Sequence, residues 1–252
     1  MINKNSVIGK NVILGKNVKI GSYCKIGSNV IIENDTIIHD FVNISQGTYI
    51  GKNTEIFHFC VIGENQKNHT GSSYIKIGSN VLIKENVIIK KGSKEKPTII
   101  SNSCYIMPFC QIYQHCMIGY NVLISHNSYI SGYSTLENNV ILGNNITIRP
   151  FCNIGNDSYI SSNLTINKNI LPFSIITKIK FNDIIINYFA LNIYNFNIFP
   201  IYNMRIFYKV FYYYFFKPLL NVTIKLKKYS KKNIELKKIV KFLKNARKDF
   251  FI

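Results

Sequence analysis

The chain has 252 residues, of which 47% are hydrophobic and 17% charged. That balance excludes a disordered chain and leaves room for one large domain or two modest ones. Lys and Arg number 31 against 12 acidic residues, a net charge of +19, which suits an acidic protein, a nucleic acid or a membrane surface. No nucleic-acid-binding signature accompanies the charge, so nucleic acid is not expected as a partner. Lys, Asn, Ile, Tyr and Phe are enriched together, as AT-rich codons would make them.

The opening Met1-Ile2-Asn3-Lys4-Asn5 lacks the apolar run of a secretory leader. The apolar stretch Ile201 to Leu220 is interrupted by Asn203, Arg205, Lys209 and Lys217, which argues against a transmembrane segment. A cytoplasmic location is expected.

A six-residue period governs most of the sequence. Ile8, Leu14, Ile20, Ile26 and Ile32 begin it, and it runs unbroken to Ile62. Gly often follows the aliphatic residue, and a small or β-branched residue sits two places before it. Glu64 to Tyr74 breaks the phase with a polar loop. The repeat resumes at Ile77, Ile83 and Ile89, breaks again over the charged Lys91 to Pro97, and runs on from Ile100 to Ile166. Period six does not match the 3.6 of a helix. Alternation within each hexad predicts short strands with one buried face, and stacked coils would share one aliphatic core.

All six cysteines, Cys24, Cys60, Cys104, Cys110, Cys116 and Cys152, occupy the small inward position two before an aliphatic residue. They are expected as buried, reduced thiols. No metal-ligand spacing occurs, so no metal is expected. Leu171-Pro172-Phe173 marks the exit from the repeat, because Pro stops a regular ladder. Helical spacing follows, with Ile201, Met204, Tyr208, Phe211 and Phe215 in one pattern and Ile234, Ile239, Val240 and Leu243 in a second. The expected organisation is a solenoid over residues 1–172 and a helical domain over 173–252.

Hexads of this form resemble the left-handed parallel β-helix acyltransferases. More specifically, the chain resembles the UDP-N-acetylglucosamine O-acyltransferase family of lipid A biosynthesis. The resemblance rests on the opening Met1-Ile2-Asn3-Lys4 and on Glu55-Ile56-Phe57-His58-Phe59 with Ile62-Gly63-Glu64-Asn65-Gln66. It extends to the exit Leu171-Pro172-Phe173 and to the spacing from Pro172 through Asn187 to Arg205, Tyr208, Lys209 and Tyr212. It implies a mainly β fold, a left-handed β-helix with a C-terminal α-helical domain. It also implies a cytoplasmic homotrimer that moves a 3-hydroxyacyl chain from acyl carrier protein to the 3-hydroxyl of UDP-N-acetylglucosamine without a cofactor. The acidic carrier would suit the positive charge.

The same resemblance assigns site positions. The family's general base falls at Gln114, whose amide cannot take a proton but can hydrogen-bond a hydroxyl. Its companion histidines fall at Gln111 and Tyr133. His115 is the candidate replacement base; strand alternation would point it away from Gln114, and a local bulge would bring it in. His126 and His58 share Gln114's outward phase. His39 and His69 have no partner that the sequence reveals. Gly132 would supply an oxyanion-binding amide. Gln66 and Lys67 in the first loop, and Asn187 beyond the solenoid, would contact the nucleotide sugar. Arg149 replaces a histidine of the acyl groove, and Ser162 falls where acyl length is measured. Two alternatives stand beside the active enzyme. One is a trimeric binding or scaffold protein that has lost the chemistry. The other is a hexapeptide transferase with another acceptor or an acyl coenzyme A donor.

Overall fold

The computed structural model describes residues 2–64, 73–177 and 184–187. Their strands are mostly two residues long, and they form three parallel sheets that wrap one interior. The nine-stranded first face starts at Val7–Ile8 and ends at Thr165–Ile166. The second runs from Ile13–Leu14 to Asn153–Ile154, and the third begins at Lys19–Ile20. Val7 pairs with Lys25 and Ile13 with Ile31, so three hexads make one coil and the hexad period is the side of a triangle. The result is the parallel β-solenoid that the repeat predicts, with the left-handed β-helix that the family resemblance implies.

From the third hexad on, the repeat's aliphatic residue is buried, and Ile26, Ile44, Ile62, Ile89, Ile112, Ile130, Ile148 and Ile166 line the first face in one continuous column. All six cysteines are buried and free, as their phase predicts. The Sγ of Cys116 donates to the carbonyl of Ser131 at 3.2 Å, and that of Cys104 to Gly119 at 3.0 Å. Burial pushes the Cys116 thiol up to about 12 and that of Cys104 up to about 11.

Each edge of the prism turns on two residues, and the second has positive φ. Asn tolerates that conformation because its short amide bonds locally. Asn accordingly fills many of these positions and forms ladders, such as Asn121 Nδ2 to Asn139 Oδ1 at 3.0 Å and Asn139 Nδ2 to Asp157 Oδ1 at 2.9 Å. Aromatic stacks replace Asn in two places. Tyr23, Phe41 and Phe59 stack on the edge between faces three and one. His115, Tyr133 and Phe151 stack on the edge between faces one and two.

The two breaks in the repeat become insertions, and both leave the one–two edge. Val61 pairs with Ile88, and Ile75 with Thr98, across gaps longer than one coil. Ser73–Ile77 and Gly92–Ser93 pair antiparallel, so the two insertions are tied to each other. Beyond Pro172, strand Ser174–Ile176 continues the third face parallel to Tyr159–Ile160, and Ile184–Ile186 adds antiparallel to it. The helices expected from Ile201 onward lie outside the described residues.

Candidate active site

The one–two edge collects most of the expected residues. Gln111 lies on the first face between Ile88 and Tyr129. Gln114 and His115 are the two turn residues of that coil. Gly132 and Tyr133 take the same places one coil later, and Pro150 and Phe151 the same places after that. Arg149 stands exposed at the end of its first-face strand. Gln111, Gln114, His115, Gly132, Tyr133 and Arg149 are therefore brought together.

His115 reaches the site without a bulge. Pairing stays in register through Gln111–Ile112 and Met117–Ile118. The backbone instead turns at His115, φ 61°, and the ring lies along the edge. It is 6% exposed and stacks on Tyr133 with centroids 4.4 Å apart. Its Nδ1 donates to the Lys96 carbonyl at 2.6 Å. In the neutral ring, a proton held on Nδ1 leaves Nε2 as the acceptor nitrogen. The His115 amide donates to Thr98 Oγ1 at 3.0 Å, and that hydroxyl donates to the Lys90 carbonyl at 2.8 Å. The second insertion is thus fastened at both ends to the histidine turn.

Gln114 folds over Gly132. A Cβ at Gly132 would lie 3.2 Å from Gln114 Nε2 and 3.1 Å from the Gln114 backbone carbonyl oxygen, so any side chain there would press on the carboxamide and push it back by a few tenths of an ångström. Gln114 Oε1 is buried and meets no donor among the described residues. A buried acceptor without a donor carries a desolvation cost of about 1–3 kcal/mol, which a ligand hydroxyl would offset.

Several neighbours escaped sequence reasoning. Lys96 places its ammonium 4.9 Å from the centre of the Tyr133 ring, and Lys90 sits 4.2 Å from that of Tyr113. Tyr113 and Tyr129 face each other at 4.8 Å. Burial and the Tyr113 hydroxyl push Tyr129 up to about 12, so it stays a protonated donor. Lys91 is half-buried, donates to the Gln46 carbonyl at 3.1 Å, and is lowered by that burial. The available signal was the charged second break itself, whose lysines the three-dimensional stack returns to the edge.

Other expected residues lie elsewhere in the chain. Ser162 sits on the three–one edge, where its hydroxyl accepts from the Asn144 amide at 3.0 Å. Asn187 caps the end of the solenoid, donating to the Asp157 carbonyl at 2.9 Å. Gln66, Lys67 and His69 lie outside the described residues. His126 and His58 are on the three–one edge, and His39 pairs with Glu55 at 2.7 Å. Among the described residues no cluster of three or more His, Cys, Asp or Glu could hold a metal ion. None of their helices is long and apolar enough to cross a membrane.

A family model described as bacterial transferase hexapeptide (six repeats) matches residues 1–34 and 97–132. No curated protein is matched by sequence. Solved structures match over the whole chain. The UDP-N-acetylglucosamine acyltransferase of Bacteroides fragilis is 25% identical, with a TM-score of 0.87 and 100% of both chains covered. The Acinetobacter baumannii enzyme LpxA is 24% identical, with a TM-score of 0.89, covering 100% of this chain and 99% of its own. The UDP-N-acetylglucosamine acyltransferase of Campylobacter jejuni is 20% identical, with a TM-score of 0.85 and the same coverage. Over the described residues this chain has the fold of those acyltransferases.

Proposed function

We propose that this protein is an O-acyltransferase that moves a 3-hydroxyacyl chain from acyl carrier protein to the 3-hydroxyl of UDP-N-acetylglucosamine. One observation carries the reading. In a solenoid fold shared with UDP-N-acetylglucosamine acyltransferases, both insertions and the Gln114, His115 and Gly132 cluster meet on a single edge. That edge holds a buried acceptor without a donor and an imidazole with a fixed tautomer.

The chemistry follows from those groups. Gln114 Oε1 accepts from a neighbouring donor group of the sugar and orients it, which leaves the proton of the attacking hydroxyl to His115. His115 Nε2 takes the hydroxyl proton as the oxygen attacks the thioester carbonyl carbon. A carbon–oxygen bond forms, and the carbonyl electron pair moves onto oxygen, facing the Gly132 amide. Collapse restores the carbonyl and breaks the carbon–sulfur bond. The departing thiolate of the carrier takes the proton back from His115. Gln66, Lys67 and Asn187 contact the nucleotide sugar, and Lys67 is suited to its phosphates. Gln111, Tyr133 and Arg149 line the cleft. Ser162, on another edge of the same chain, reaches the acyl chain from a neighbouring copy in a homotrimer, which works in the cytoplasm.

The purified protein is to be mixed with 3-hydroxyacyl-acyl carrier protein and radiolabelled UDP-N-acetylglucosamine. Labelled, acylated sugar nucleotide is expected. A folded protein that binds the sugar nucleotide and forms no ester would instead be a binding protein. Tight acetyl-coenzyme A binding would point to another transferase.

A further inference from the structure

The turns of this solenoid hang from one another by a regular backbone bond. From Asn29 on, the second residue of a turn, the one with positive φ, gives its amide to the carbonyl of the first turn residue one coil back. Asn29 donates to Lys10 at 2.9 Å, Asn121 to Asn102 at 3.0 Å, and Tyr133 to Gln114 at 3.0 Å. Among the described non-glycine residues with positive φ beyond the first coil, His115 alone departs from this pattern. One coil back from its turn, the second insertion leaves the solenoid at Lys91, and the His115 amide goes instead to the side chain of Thr98, Oγ1, at 3.0 Å.

The same insertion holds the ring. Nδ1 donates to the Lys96 carbonyl at 2.6 Å, and Nε2 makes no hydrogen bond among the described residues. A carbonyl can only accept, so the neutral ring keeps its proton on Nδ1 and its lone pair on Nε2. Without such a bond a histidine side chain carries the proton mainly on Nε2, where it blocks proton uptake at that atom. Two residues place the Lys96 carbonyl. Thr98 is fully buried; its hydroxyl accepts from the His115 amide and donates to the Lys90 carbonyl at 2.8 Å, so it ties the histidine turn to both ends of the insertion. Gly92 is packed so closely that a Cβ there would overlap the Lys96 carbonyl oxygen and lie 2.7 Å from the Thr98 amide nitrogen.

We propose that the second insertion is the device that makes His115 a base, with Thr98 and Gly92 as positioning residues that act through the Lys96 carbonyl. The inference rests on the acyl-transfer reading, and it gives roles to two residues that move no proton themselves. Their effect falls on one quantity, the share of His115 rings with Nε2 bare and aimed by a fixed turn. That share sets how often a bound hydroxyl finds an acceptor for its proton. It does not enter the binding of either substrate, so the residues govern kcat and leave KM alone.

The test is nitrogen NMR on the intact protein with isotope-labelled histidine, beside steady-state kinetics. A ring nitrogen with a proton and one without have well-separated shifts, and the His115 signals are those lost in His115→Asn. The wild-type neutral ring is expected to carry its proton on Nδ1. Thr98→Val removes the hydroxyl, and Val12 and Val30 hold the same inward place in their coils, so the solenoid accepts it; Thr98→Ser keeps the hydroxyl, and Ser134 holds that place in its own coil. Thr98→Val and Gly92→Ala should move the proton toward Nε2 and lower kcat by about tenfold, the worth of one neutral hydrogen bond, with KM for both substrates within about threefold. Thr98→Ser should keep the wild-type spectrum and a kcat within about threefold of wild type, below the effect of one hydrogen bond. A wild-type ring protonated on Nε2 would overturn the proposal, as would a Thr98→Val protein with wild-type spectrum and kcat, or a Thr98→Ser protein as slow as Thr98→Val. A wild-type protein that forms no ester would overturn the acyl-transfer reading, whereas the spectra alone decide whether Thr98 and Gly92 set the tautomer.

Discussion

Replacing His115 by Asn separates the chemistry of this turn from its architecture. The position has φ 61°, and the equivalent turn residues Asn121 and Asn127 adopt φ 55° and 56°, so Asn fits without new backbone strain. The substitution loses the 2.6 Å bond from Nδ1 to the Lys96 carbonyl, worth about 0.5–1.5 kcal/mol net. It also loses the stack on Tyr133, worth about 0.5–1.5 kcal/mol. A total of about 1–3 kcal/mol lowers the melting temperature but leaves the solenoid folded. Loss of a general base costs about 10²–10⁴ in rate, or about 3–5 kcal/mol in the barrier. The assay is steady-state transfer of the 3-hydroxyacyl group to labelled UDP-N-acetylglucosamine, with circular dichroism on the same sample. Expected is a kcat loss in that range with KM for the sugar nucleotide within about threefold, because only the proton acceptor is removed. A folded variant with wild-type kcat would refute His115 as the base and send the search to His126 and His58.

Gln114→Ala removes the buried acceptor, and transfer should slow by about tenfold, the worth of one hydrogen bond; steady-state kinetics with an unchanged rate would count against it. Ile112→Ala, in the first-face core, should cost about 2–5 kcal/mol by urea denaturation, through lost burial and a cavity. The cysteines set an alkaline limit. Their folded thiols are raised, Cys60 and Cys116 to about 12 and Cys104, Cys110 and Cys152 to about 11, from 9.0. The unfolded chain therefore loses thiol protons first, and stability is full below about pH 9 and falls as pH rises toward 11–12. Melting curves across that window, and slow alkylation of the native protein at pH 8, check the sign. Transfer from the acidic carrier protein should weaken as salt is raised, through a higher KM for the carrier with kcat little changed.

Much of the solenoid was legible because its cause is local. One aliphatic residue every six places fixes which side chain enters the core, and Ile26 or Ile148 needs no distant partner to be placed. The cysteines were legible for the same reason, since Cys110 and Cys116 share the inward phase. The site was harder, because it depends on what stacks on what. Strand alternation turned His115 away from Gln114, yet the residue lies on a turn, where alternation does not apply and a positive φ sets the direction. Lys96 is remote from His115 in sequence and reaches it only because the second insertion leaves the same edge. Ser162 and Asn187 lie apart from Gln114 within one chain, on the three–one edge and at the capped end of the coil, a separation the linear sequence does not reveal.

The most direct test of the account is a crystal structure of the protein with the acylated sugar nucleotide bound. The account predicts the ester on the edge between faces one and two, its carbonyl oxygen within hydrogen-bond distance of the Gly132 amide and the sugar seated beside Gln114 and His115. An ester seated on another edge, or turned so that its carbonyl faces away from Gly132, would contradict it.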